Sequence, residues 1–556
     1  MMKIVYLLLI ALAAYSALFL ISDEVISPDD LIFEFFSSEL GRPGGRLGYL
    51  PPGDEIFGEK GFIPRYFVYG LEGRVYPRKF PGFILFWGGL RRILPAGTGR
   101  LINPLCAALS ILLLYLVGRE LFPGERTAFR AAVFLAVTPV FIRRAFVYNP
   151  TLFNLAVFLA ALLFLLRSLR RGWWYDYLGF GIFSGVFLWI RPTNSIYLAT
   201  FLIFFLIERR RVVGRYLVAA LALVLLGGAG LLFFNRTVYG GYFTLGYTAT
   251  HLQEAAALGD TAPAGIRGIL DYLRFYPQFW FPHIKNTPAA LALGFPLLIL
   301  ALLGFALPRP RPELSAGEDE SGLPGEDGYR LERPLRFKLY YLSLFVIAVG
   351  FFSNFGTYGH EKHEFTLHSS FLRYLMPMIC LLPLFAARFL ERVRLSAGRM
   401  ITPLAGFSLL IALFAPAGMI ETTLQSRYNR EVGDFLRFHS DERTVFFSHY
   451  WDKVLYPERI VYTLGTHFPT EMTEEMIRKV HRAGYRVAYP AHPADGMIGD
   501  FILQHYIVEE IEGPDRLSFL SRLAAPFIPS RLYPVRLYLV REEKIPPEPA
   551  PAGSPR

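Results

Sequence analysis

The sequence predicts a mainly α-helical, polytopic membrane bundle followed by a small α/β domain outside the bilayer. Three observations carry this. Of the 556 residues, 53% are hydrophobic and only 19% charged, with a mean hydropathy of +0.35. The apolar residues gather in runs of about 14–20, the length a helix needs to cross the hydrocarbon core. These runs recur from Ile4 to Ile420 and then stop, leaving residues 421–545 with the ordinary polarity of a soluble domain.

The first run, residues 4–21 behind Lys3, exceeds a signal-peptide core and no small-x-small cleavage site follows, so it reads as an uncleaved helix. With the amino terminus inside, residues 22–100 form a long outer loop. Within it lies 82–94 (GFILFWGGLRRIL), interrupted by Gly88-Gly89 and closed by Arg91-Arg92. Thirteen residues rise only about 20 Å against a core of about 30 Å, which predicts an interfacial helix with its arginine end among headgroups.

Helices then follow at 101–118, 130–145, 151–167, 176–190, 193–207, 213–234, 289–307, 339–352, 374–390 and 400–419, for a total of about eleven spans. Arg167-Arg170-Arg171, Arg209-Arg210-Arg211 and Arg388-Arg392-Arg394 fall between runs, where short basic loops stay on the cytoplasmic side. Trp173-Trp174-Tyr175 forms an interface belt. The net charge of +11 is thus read as a topology signal, and no nucleic-acid partner is implied. Residues 308–338, rich in Pro, Gly, Glu and Asp, read as a weakly structured cytoplasmic linker. The odd count leaves 421–545 extracytoplasmic.

That last region alternates. Residues 444–448, 461–464, 486–489 and 532–540 read as strands, and 472–483 (MTEEMIRKVHRA) as an amphipathic helix ended by Gly484. Residues 546–556 form a Pro-rich disordered tail. There is no internal repeat. Cys106 and Cys380, both inside apolar runs, support neither a disulfide framework nor a cysteine metal site.

Several residues are candidates for chemistry. Ser27-Pro28-Asp29-Asp30 stands just beyond the first helix. Ser27 fits an N-cap, Pro28 the first helical position and Asp30 the capping-box position before residues 31–40. Asp29 has no part in that box, and a carboxylate there can act as a general base toward a hydroxyl. Arg78 and Lys79 precede the interfacial helix, Arg191 sits between two helices, and Arg373 opens a late one. Such cations can hold a phosphate leaving group or snorkel to ordinary headgroups. Tyr148-Asn149-Pro150 occupies a second outer loop. His360, His363 and His368, with Glu361 and Glu364, lack a zinc spacing and read as loop residues, so no metal is assigned. No P-loop, dinucleotide motif or hydrolase elbow is present, and no cofactor is implied.

The layout resembles the GT-C superfamily of membrane glycosyltransferases, nearest to its protein O-mannosyltransferase and lipid A aminoarabinose-transferase group. Four stretches carry the likeness. Residues 27–30 with 31–40 resemble the group's Asp-Glu motif and following helix, with Asp29 at the base position and Asp30 replacing Glu. Tyr76-Pro77-Arg78-Lys79-Phe80-Pro81 resembles its entry to the interfacial helix. Residues 185–193 (GVFLWIRPT) are similar to its helix–Arg-Pro-Thr turn, and 371–377 (FLRYLMP) to its Arg-Tyr-Leu-x-Pro helix start. One departure stands out: where the group has a second acidic residue, this chain has Asn149, which can orient an acceptor but cannot be a base. Tyr450-Trp451-Asp452-Lys453 is only faintly similar to the oligosaccharyltransferase Trp-Trp-Asp-Tyr-Gly signature, and that function is not carried over.

The resemblance implies an integral-membrane glycosyltransferase, spanning residues 1–420, that moves a sugar from a polyprenyl- or dolichyl-phosphate donor to an acceptor hydroxyl with inversion. The acceptor is a glycan, lipid or protein. Lys79, Arg373 and Arg191, beside Arg78, would hold the phosphate. Two rival classes are a lipid or glycan transporter and a non-catalytic assembly scaffold. A transporter requires ionisable residues near the bilayer midplane, whereas acidic residues here are essentially absent from the apolar runs. Asn149 keeps the scaffold reading open.

Overall fold

The computed structural model describes residues 2–21, 27–58, 60–94, 101–122, 124–145, 147–208, 212–246, 249, 276–307, 326–353, 366–367, 369–393, 397–448, 450–463, 470–491, 496–512 and 536–543. Its first half runs α1 (Met2–Ile21), α2 (Pro28–Gly41), α3 (Pro52–Phe57), β1 (Phe67–Tyr69), β2 (Val75–Pro77), α4 (Pro81–Arg91), α5 (Ile102–Leu121), α6 (Glu125–Ala136), α7 (Pro139–Ala145), α8 (Thr151–Arg171), α9 (Trp174–Ile190), α10 (Ser195–Ile207) and α11 (Gly214–Tyr239). There follow α12 (Pro277–Gly294), α13 (Leu298–Ala306), α14 (Glu326–Phe352), α15 (Ser370–Tyr374), α16 (Met376–Ile379), α17 (Leu382–Arg392), α18 (Ala397–Phe414) and α19 (Met419–Phe438). The chain ends with β3 (Thr444–Phe447), α20 (Asp452–Leu455), β4 (Ile460–Tyr462), α21 (Thr470–Arg482), β5 (Arg486–Pro490), α22 (Gly496–His505), β6 (Tyr506–Glu512) and β7 (Arg536–Glu543). Two compact units emerge: Met1–Asp23, Phe33–Leu47 and Pro77–Thr423 in one, and Glu24–Ile32, Gly48–Tyr76 and Leu424–Arg556 in the other.

In the first unit every apolar run is helical. The central α8 is enclosed along nearly its whole length, while α11 exposes Val218, Leu225, Leu226 and Phe233, the surface a bilayer would cover. Glycines allow a close crossing: a Cβ on Gly227 of α11 would come within 2.8 Å of the Gly185 Cα on α9. Small residues let backbones approach where lipid gives no hydrophobic drive to pack. The interface belt is exposed at Trp173, Trp174 and Tyr175. Glu120 takes Arg167 and Arg170 at 3.4 and 3.0 Å, and Glu208 takes Arg336 at 2.7 Å.

Several expectations change here. Among the described residues, four helical stretches are long and apolar enough to span a bilayer, namely Ile102–Leu121, Thr151–Arg171, Gly214–Tyr239 and Met400–Phe438, plus a pair bent by 106° (Trp280–Gly294 and Leu298–Ala306). The other runs are helical but shorter or broken, and proline explains most breaks. Pro139 begins α7 after α6 has stopped, Pro296 separates α12 from α13, and Pro377 and Pro383 each open a new short helix. The 308–338 linker is also shorter than expected, because α14 already begins at Glu326. The 82–94 run is the eleven-residue α4, and its arginines also bond within the protein: half-buried Arg91 meets Glu34 at 3.9 Å and Ser38, and exposed Arg92 donates to the Leu40 and Gly45 carbonyls.

The second unit holds a five-stranded sheet in the order β4-β3-β5-β7-β6, with β3 parallel to β4 and β5 and antiparallel pairing beyond. Strands β3, β4, β5 and β7 and helix α21 lie where alternation and amphipathicity place them; α22 and β6 were not anticipated. Its core joins Val445, Phe447, Tyr462, Ile477, Val487 and Ile502 with Phe57 and Phe62 of the stretch 48–76. The stretch 48–76 is therefore a structural part of this unit, and it carries most of the two-stranded β1-β2 ribbon.

Candidate active site

Arg191 and Arg373 converge on one aromatic ring. The Arg191 guanidinium lies 5.1 Å from the Tyr374 ring centre, and that of Arg373 lies 5.5 Å from the same ring. Local chemistry delivers each side chain. Pro192 denies Arg191 the helical conformation, so α9 ends at Ile190 and Arg191 is extended (φ −157°, ψ 119°). The turn beyond it is pinned to α8 by a reciprocal amide pair, Asn194 Nδ2 donating to Asn154 Oδ1 at 2.7 Å, and Asn194 also donates to the Phe187 carbonyl at 2.6 Å. Arg373 rides on α15, whose N-cap Ser369 accepts the Phe371 N–H at 3.2 Å. Tyr374 itself is fixed by stacking on Phe352 at 5.1 Å and by the Tyr197 hydroxyl, which donates to its carbonyl.

The segment holding Arg78 and Lys79 reaches the same end of α9. Gly82, at the start of α4, packs so tightly that a Cβ there would stand 2.5 Å from the Trp189 carbonyl, two residues before Arg191. Both cations are half-buried. The Tyr239 hydroxyl donates to the Pro77 carbonyl at 2.8 Å, and Gly246 leaves no room for a side chain against the Arg78 main chain. Arg191 and Arg373 thus meet at Tyr374, and the chain just after Arg78 and Lys79 packs on the end of α9 in the same unit.

Asp29 and Asp30 occupy the first turn of α2. Asp30 completes the capping box: its Oδ2 accepts the Ser27 N–H at 3.0 Å while Ser27 Oγ accepts the Asp30 N–H at 3.4 Å. Asp30 is buried and Asp29 half-buried. The capping role therefore belongs to Asp30, and Asp29 stands outside the box. Farther along α2, Ser37 Oγ lies 3.1 Å from the buried Tyr148 hydroxyl, and burial pushes that phenol up. Asn149 Oδ1 accepts the Thr151 N–H at 3.0 Å, a side-chain turn just before α8.

These elements set the fold beyond their own contacts. A crystal structure of ArnT from Cupriavidus metallidurans in the apo state matches 96% of this chain and 97% of its own, with a TM-score of 0.51 and 11% sequence identity. The chain shares the fold of that structure. Residues 97–231 also match the model of the dolichyl-phosphate-mannose-protein mannosyltransferase family. That match contains Tyr148, Asn149 and Arg191, while Asp29, Arg78, Lys79 and Arg373 lie outside it. No curated protein sequence matches the chain.

The chain also carries a buried polar centre the sequence did not disclose. Arg65 donates from its main-chain N to Asp452 Oδ2 at 2.7 Å, from Nη2 to Asp452 Oδ1 at 3.0 Å and from Nη2 to the Tyr450 carbonyl at 3.2 Å. Lys453 is buried beside it, its ammonium 4.1 Å from the Tyr450 ring centre, and burial lowers its pKa. The Tyr450-Trp451-Asp452-Lys453 stretch therefore anchors residues 48–76 within the second unit. Among the described residues no group of three or more His, Cys, Asp or Glu gathers as a metal site. His360, His363, His368, Glu361 and Glu364 lie outside the described residues.

Proposed function

We propose that this chain transfers a hexosyl or pentosyl group from a polyprenyl- or dolichyl-phosphate-linked donor to an acceptor hydroxyl of a glycan, lipid or protein, at the outer membrane face and with inversion. The fold match and the mannosyltransferase family match support a membrane glycosyltransferase that uses such a donor. The observation that carries the site assignment is the convergence of Arg191 and Arg373 on Tyr374. A departing lipid phosphate takes the bonding pair of the broken sugar–oxygen bond and leaves as an anion. Fixed guanidinium groups stabilise that developing charge at no reorganisation cost. Arg78 and Lys79 add positive charge from the α4 side.

In this reading the acceptor oxygen attacks the anomeric carbon on the face opposite the phosphate, and its proton passes to the Asp29 carboxylate. Asp30 holds the helix start that presents Asp29. The test is purified protein in lipid nanodiscs with a panel of polyprenyl-phosphate sugars and mass spectrometry of the products. Sugar transfer from at least one donor is expected; no transfer from any, with intact lipid-phosphate binding, favours the scaffold. Location has its own test, single cysteines replacing residue 320 or Glu475 in a chain lacking Cys106 and Cys380. An impermeant maleimide on intact cells should label position 475 and spare 320; the reverse pattern puts residues 421–545 in the cytoplasm.

A further inference from the structure

We infer that Arg144 is a positioning residue for the Arg373 arm of the phosphate clamp, an inference that rests on the donor reading above. Arg143 and Arg144 are adjacent on the short α7 and are only 2% and 1% exposed. Burying a guanidinium carries a heavy desolvation penalty unless hydrogen bonds replace its water. The two side chains reach different places. Arg143 Nε donates to the Ala417 carbonyl at 2.9 Å, in the turn between α18 and α19. Arg144 Nη2 donates to the Ser369 carbonyl at 3.2 Å and, more weakly, lies 3.5 Å from that of Leu367.

The Ser369 carbonyl is the informative partner. It also accepts the main-chain N–H of Arg373 at 3.2 Å, while Ser369 Oγ accepts that of Phe371. Arg144 therefore grips the carbonyl that starts the helical turn carrying Arg373. Helix α15 has only five residues, too few to hold a direction by its own hydrogen bonds. Its direction is set by its anchors, Arg144 at the Ser369 end and the Tyr197 hydroxyl at the Tyr374 end. Arg143 supplies an internal control, with the same helix, charge and burial but a different carbonyl.

The experiment measures binding of a sugar-free polyprenyl monophosphate to the full-length protein in nanodiscs, with a melting curve for each variant. Arg144→Gln is expected to weaken binding about tenfold, the scale of one charge-assisted hydrogen bond. Arg144→Lys should bind with intermediate affinity, and Arg143→Gln should stay close to wild type. In an Arg373→Ala background, Arg144→Gln should cause no further loss, because it acts through Arg373. Wild-type affinity in Arg144→Gln, or losses that multiply in the double variant, overturns the inference. Should Arg144→Gln not fold, wild-type affinity in Arg144→Lys overturns it equally. An Arg373→Ala protein that binds normally defeats the clamp reading itself, a pattern distinct from an Arg144 failure.

Discussion

Arg65 and Arg191 are both largely buried, yet their charges sit in different surroundings. Arg65 meets a carboxylate with no exposure of its own and adds the Tyr450 carbonyl. Its charge is matched, and the product is a fastening between two stretches 387 residues apart in sequence. Arg191 instead shares the Tyr374 ring with Arg373. Cation–π attraction is worth about 0.5–2 kcal/mol, and two like charges at one ring repel. An anion placed between them removes that repulsion. A matched arginine holds the fold, and converging arginines suit a ligand that comes and goes.

The largest effect should come from the group outside both arrangements. Asp29→Asn is expected to cut transfer by about 10²–10⁴-fold, the range of a lost general base, with the melting temperature unchanged. Turnover near wild type would remove Asp29 from the chemistry. Asp30→Asn should behave the other way, loosening the α2 start through the Ser27 cap.

Asp452→Ala tests the fastening. Removing one partner of a buried pair leaves the other charge uncompensated, at about 3–5 kcal/mol. A large drop in melting temperature is expected, with loss of activity only in proportion to unfolding. A stable Asp452→Ala protein would break the comparison, because Arg65 would then resemble the clamp arginines.

Arg191→Ala and Arg373→Ala test the other side. Each should raise the apparent donor constant by about tenfold with little change in stability, and the double variant should lose less than the product if both touch one phosphate. Small, independent effects would return both residues to headgroup contacts.

The uneven legibility of the sequence follows the same division. Apolar runs announce helices because hydropathy needs no knowledge of a partner, and the Ser27–Asp30 box was readable because it is local. The Asn149 turn is equally local, two residues from its N–H, and the Asn-Pro-Thr order could have given it away. The α22–β6 passage was missed because β6 is mostly exposed and lacks alternation. The Arg65–Asp452 pair and the Arg191–Tyr374 contact join residues far apart, and no spacing rule reaches that distance. Nor does hydropathy reveal that Phe57 and Phe62 of the stretch 48–76 complete the core of a distant sheet.

The smallest predicted effect lies beside that loop core, at Asp54. The Tyr69 hydroxyl donates to Asp54 Oδ1 at 2.9 Å and accepts the Gly61 N–H at 2.7 Å. Burial pushes the Asp54 carboxyl up to about 6, against the opposing pull of the Tyr69 bond, the Phe62 main chain and Lys60. The folded state therefore holds a proton that the unfolded chain releases at lower pH. Stability from this group is full below the ordinary aspartate pKa of about 3.9 and is lost as pH rises through about 6. Because the site is partly open to water, solvent screening limits the loss to about 0.5–1 kcal/mol. Asp54→Asn should keep the Tyr69 hydrogen bond, raise the melting temperature slightly at pH 7.5 and leave it unchanged at pH 4.5. Melting curves of both proteins at the two pH values decide it. A variant less stable than wild type at pH 7.5 would mean that the ionised carboxylate is matched by its neighbours, as Asp452 is by Arg65.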